Sequence, residues 1–198
     1  MPIGISQSRV LPSWRMIAFF ILVLFGFIVY QENAKGNREQ LANKYNLSIV
    51  EYESGDKSKI LNSLKEIVED KDKTYSPLAF YYLLDNDLIA SKEEINKYFD
   101  ILINEIGLEN EIKNLTIFKK GLFNSESANE EELLNILNPI IKSESIWKPH
   151  ALYLMAEYFF SKNEKQKSKE FLENLISLEN ISDKIKLEAQ KRLRSDLS

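Results

Sequence analysis

No cysteine occurs among the 198 residues. That excludes disulfides, thiolate metal sites and cysteine nucleophiles, and it is compatible with a reducing or an oxidising compartment. There is one histidine, His150. A zinc site needs three or four ligands, usually including several His or Cys, so structural zinc is excluded on ligand supply. Only six glycines are present and they are scattered, with no G-x-G-x-x-G and no G-x-x-x-x-G-K-[ST] among them. No serine stands in a G-x-S-x-G context, and no D-x-D-x-D-G calcium loop occurs. The expectation is a protein that is not an enzyme, holds no metal or cofactor and turns over no small-molecule substrate.

Acidic residues are missing from the first 30 positions, where Arg9 and Arg15 are the only charges. Setting those two aside leaves 24 basic and 30 acidic residues and a net charge of −6 for residues 31–198. Phosphate backbones repel such a domain, so nucleic acid is not an expected partner. Its length suits one ordinary domain with a real core.

Between these two compositions lies Met16 to Tyr30, MIAFFILVLFGFIVY, without a charge. A spanning helix needs roughly 20 residues. Extending back through Trp14, Leu11 and Val10 reaches that length with Arg15 near one end, where its stem can snorkel to the headgroups. Trp14 and Tyr30 fall at the interfaces. The same run also has the charge and length of a signal peptide. Cleavage after Ala34 would put Glu32 where a small residue is wanted, which favours an uncleaved anchor. Arg9 and Arg15 before the run and Lys35, Arg38 and Lys44 after it leave orientation undecided. The expected layout is a short tail (1–12), a transmembrane helix (13–31) and a repeat domain (32–198).

From residue 34 onward the apolar spacing is helical throughout. It predicts helices near 34–53, 57–70, 76–90, 92–106, 109–123, 130–140, 148–161, 164–177 and 183–195. Ser76 with Pro77, Ser91 with Glu94, and Asn129 before Glu130-Glu131-Glu132 read as helix starts. Gly107 suits a left-handed helix end, and Gly55-Asp56 and Asn163-Glu164 read as turns. Short connections make neighbours antiparallel. The two turns lie 108 positions apart, three steps of 36. The fold class expected is all-α: a single transmembrane helix followed by a tetratricopeptide-like array of antiparallel hairpins. The best copy is Leu152, Met155, Ala156 and Phe159 in one helix with Ser168, Leu172 and Leu175 in the next. Small residues there let two helices approach. In the hairpin 76–106, small residues cannot be placed at both key positions. The last helix should cap the array, with Lys184, Lys186, Glu188, Lys191 and Arg192 on its polar face.

Adjacent aromatics stand out: Phe80-Tyr81-Tyr82 and Tyr158-Phe159-Phe160, with Tyr153 on the same helix as the second set. Successive helical residues are about 100° apart, so each set must divide between faces. Burial on both sides of a middle helix is the reading we favour. The alternative is a protein-binding groove. If Ala156 is the close-contact position, His150, Tyr153, Glu157 and Phe160 face that groove together. Taken by itself, His150 reads as an ordinary first-turn surface residue.

Residues 147–177 resemble a recurring stretch of bacterial inner-membrane proteins with one N-terminal helix and a periplasmic repeat domain. Trp147, Lys148, Ala151, Leu154, Met155 and Ala156 match it, and Asn163-Glu164 stands where that stretch has Gly-Asp. The upstream order of anchor, Gly55-Asp56 turn and Tyr75 before Leu78-Ala79 matches as well. The chain is similar in this to the ancillary subunit of the SecYEG translocon (YfgM-like, alphaproteobacterial form). The resemblance implies a cytoplasmic N-terminus, a periplasmic tetratricopeptide superhelix, and SecYEG and periplasmic chaperones as partners, with secreted proteins as clients. It carries no catalytic residue. A structural scaffold for envelope assembly or cell-division coordination is the alternative.

Overall fold

The computed structural model describes the backbone of residues 13–54, 57–179 and 181–196, and the side chains of 21–27, 35–52, 58–179 and 181–195. Every element among them is helical: α1 (Ser13–Ser54), α2 (Lys57–Glu69), α3 (Tyr75–Asp85), α4 (Lys92–Asn104), α5 (Asn110–Asn124), α6 (Glu130–Ile141), α7 (Lys148–Ser161), α8 (Lys165–Ile176) and α9 (Asp183–Asp196). The chain forms two compact units, Met1–Ser63 and Leu64–Ser198.

In the first unit, the apolar run and the expected helix 34–53 are one continuous helix of 42 residues. The expected boundary between residues 31 and 32 therefore falls inside a helix. Gly36 is the only weak helix former with a substantial cost at the join, and about 1 kcal/mol does not interrupt a long helix. Ile21, Leu22, Val23, Leu24, Phe25 and Phe27 are all between 54% and 71% exposed. Among the described residues no helix is long and apolar enough to cross a membrane. The tail 1–12, the side chains of Trp14, Arg15 and Tyr30, and the Gly55-Asp56 turn lie outside the described residues.

The second unit follows the sequence closely, with two local corrections. Ser76 is not a cap. Asp72 Oδ1 accepts from the backbone N–H groups of Thr74 and Tyr75, both at 2.8 Å, and so does that work upstream. Ser76 lies buried inside the first turn and donates to the Ile67 carbonyl at 2.7 Å. Helix α3 also ends at Asp85 and not near 90. Asp87 takes a left-handed φ of 53°, and Leu88 N–H reaches back to the Leu83 carbonyl at 2.9 Å, closing a Schellman turn. Asn163 ends α7 the same way, with φ 61° and Glu164 N–H on the Phe159 carbonyl at 2.9 Å. Gly107 has the expected positive φ, 66°. Asn129 and Glu132 exchange both bonds of a capping box at 2.9 Å. Ser91 makes only one arm, since Glu94 turns to Lys65.

From α3 to α9 each helix packs on the next, and α5 also meets α7. The packing repeats. Ile60, Leu64 and Ile67 in α2, Ile95, Phe99 and Leu102 in α4, Leu133, Leu137 and Ile140 in α6, and Ser168, Leu172 and Leu175 in α8 are all buried at i, i+4, i+7. The steps are 35, 38 and 35 residues (Ile60 to Ile95, to Leu133, to Ser168). Their total is the 108 read from the turns, divided unevenly. All seven residues of the best copy are buried.

Partner positions on the odd-numbered helices explain why that copy alone stood out. The pairs are Ala79 and Leu83 in α3, Ile117 and Gly121 in α5, and Leu152 and Ala156 in α7. All six are buried. One small and one large residue share each pair, but α3 reverses their order, so the volume is kept while the motif is lost. Gly121 carries the tightest contact. A Cβ placed there would meet Leu137 Cδ2 at 2.5 Å.

Candidate functional site

The groove begins with the entry to α7. Buried Ser145 donates through Oγ to Glu111 of α5 at 2.8 Å and accepts from Trp147 N–H at 3.1 Å. That fixes Trp147 at the N-cap, with Pro149 just inside the helix, where a missing N–H costs nothing. The Trp147 ring then stacks on Phe118 of α5 at 5.9 Å and 20°. His150 meets both rings, 5.2 Å from Trp147 and 5.8 Å edge-on from Phe118. It is a first-turn residue as expected, but it is partly buried in an aromatic cluster and not an ordinary surface histidine. Its Nδ1 is buried without a hydrogen-bond partner.

One turn further, Tyr153 is partly buried, and burial raises its phenol pKa. Glu157 and Glu188 add to that rise, while Arg192 opposes it. Arg192 of α9 binds Glu157 through both carboxylate oxygens, Nε to Oε1 at 2.8 Å and Nη2 to Oε2 at 2.7 Å. Its guanidinium lies over Phe160, 4.2 Å from the ring centre. Arg192 therefore does not stand on the outer face of a capping helix. It ties α9 to α7.

His150, Tyr153, Leu154 and Glu157 of α7 line a cavity of about 380 Å³ together with Phe118 and Leu122 of α5 and Ile185 and Glu188 of α9. Three of the four expected groove residues are thus brought together. Phe160 is not among the lining residues, and Arg192 covers its ring. Of the adjacent aromatics, Phe80, Tyr158 and Phe159 are core, whereas Tyr81, Tyr82 and Phe160 are partly exposed. Tyr158 satisfies its hydroxyl on the Ala128 carbonyl at 3.2 Å.

The lining residues contributed by α5 and α9 follow one rule. Subtracting the 35-residue step from Tyr153 and Glu157 gives Phe118 and Leu122, and adding it to His150 and Tyr153 gives Ile185 and Glu188. Adding it to Glu157 gives Arg192, its ion-pair partner. The same register positions on three successive odd-numbered helices converge on one cavity. The 35-residue step reaches all four lining residues of α5 and α9, but not Leu154 of α7.

Among the described residues no group of three or more His, Asp or Glu is placed to hold a metal ion. No protein-family model matches the chain, and no curated protein or solved structure resembles it at a significant level.

Proposed function

We propose that the chain is a membrane-anchored, tetratricopeptide-like interaction module whose α5–α7–α9 groove takes a segment of another protein. The observation that carries this reading is the convergence of equivalent residues from three successive repeats on one apolar cavity. Repeat arrays present such surfaces for extended recognition. A mostly apolar cleft with a few polar groups at its edge is also the usual composition of a binding site. The anchor is supported by the uncharged run Met16–Tyr30 and by the exposure of the described side chains from Ile21 to Phe27. The specific role, an ancillary factor of the Sec translocon acting with periplasmic chaperones, rests on the resemblance of residues 147–177.

Chemical crosslinking in membranes, followed by identification of the attached proteins, tests the role. Translocon subunits and secretory chaperones are the expected partners, and division or envelope-assembly proteins in their place would make the module a scaffold. Reporters fused at each end should place the C-terminus in the periplasm. Tyr153→Ala should weaken partner capture at least several-fold while lowering the melting temperature by only a few degrees, since the ring packs against the α7–α8–α9 core but stays partly exposed. Equal loss of capture and of fold would make Tyr153 a core residue.

A further inference from the structure

We propose that the α5–α7–α9 groove selects basic apolar segments, which seat an apolar side chain in the cavity and direct an adjacent lysine or arginine to Glu188. The inference rests on the groove being a protein-binding site and names what it takes. Apart from His150 and Tyr153, the ionisable residues lining the cavity are two carboxylates, Glu157 and Glu188, and no lysine or arginine among the described residues lines it. Glu157 is already held at both oxygens by Arg192. Glu188 is exposed and has no hydrogen-bond or ion-pair partner among the described residues.

Two cations on the same helices are already engaged, Arg192 at the edge of the cavity and Lys119 away from it. Arg192 lies on Glu157 and Phe160, and Lys119 sits 3.8 Å above the Tyr81 ring. The cavity therefore offers a carboxylate beside aromatic faces, Phe118 and Tyr153, which attract a cation. Its aliphatic wall suits the methylene stem of a lysine or arginine whose head reaches the rim. An acidic segment would instead bring a second negative charge against Glu188, which costs affinity.

The test uses the full-length protein in nanodiscs of zwitterionic lipid. The probe is a short labelled peptide with one tryptophan flanked by lysines, and matched peptides carry glutamine or glutamate in place of the lysines. Fluorescence anisotropy should show the lysine peptide binding about two- to fivefold tighter than the glutamine peptide, the scale of one exposed charge pair. Glu188→Gln should remove that difference and Glu188→Lys should reverse it. Glu131→Gln, an equal charge change at an exposed position of α6, should leave it intact. Binding of the glutamate or glutamine peptide as tight as the lysine peptide overturns the inference. An equal loss on Glu131→Gln does so too, since net charge and not the groove would then be responsible. If all three peptides bind alike and Tyr153→Ala releases them, the groove reading stands and the charge selection falls. If none binds, both fall.

Discussion

Glu94 shows how single residues hold the array together at its surface. Its carboxylate accepts from Lys65 of α2 at 2.7 and 2.9 Å and from the Tyr98 hydroxyl at 3.0 Å. Partial burial pushes the carboxyl pKa up, but the hydrogen bonds from Lys65 and Tyr98 outweigh it, and the pKa lies below the ordinary value. A carboxyl with a lowered folded-state pKa adds stability above its unfolded value and loses it as pH falls through the folded one. Glu94→Gln should therefore flatten the acid side of the stability profile. Urea midpoints between neutral pH and about pH 3 would show it, because ordinary carboxylates titrate there. An identical decline in both proteins would mean that Glu94 is not paired in solution. At the same scale Arg192 and Glu157 were legible only as charges. Their equivalence under the 35-residue step, which makes them partners, lies in no local motif.

Helices were the most legible level. Periodicity and caps place α4 to α9 within about two residues, because each bears a buried stripe and most bear a strong start or stop. Misreadings arose where a polar residue could serve two purposes. Ser76 has the chemistry of a cap, yet its burial demands an acceptor, which the Ile67 carbonyl supplies. Pairing between helices was less legible. The exchange of small and large residues between α3 and α5 conserves volume and hides the repeat from a pattern search. Gly121 exposes this packing to test. Gly121→Val should lower stability by about 1–3 kcal/mol through overpacking against Leu137. Gly121→Ala should cost less, because alanine regains about 1 kcal/mol of helix propensity. Combining Gly121→Val with Leu137→Ala should recover part of the loss, since the two sites are in contact and the changes are not additive. Additive effects in urea titrations would mean that α5 and α6 do not approach there.

On the scale of the whole molecule, an exposed apolar helix segment is joined to a helical array in which α5, α7 and α9 share one cavity. The array's register is written in the chain as steps of 35, 38 and 35 residues, but the three-residue excess at the middle step obscures it. The groove was half legible: three of its four α7 residues follow from Ala156, whereas α5 and α9 contribute by a register no single helix contains. The central claim is that this groove is where another protein docks. The most direct test is a photo-crosslinking amino acid placed at Tyr153 in the full-length protein, in its native membrane, with a second probe at exposed Glu131 of α6. Discrete protein adducts are expected from position 153 and absent from position 131. Adducts that are equal from both positions, or missing from 153 alone, would contradict it.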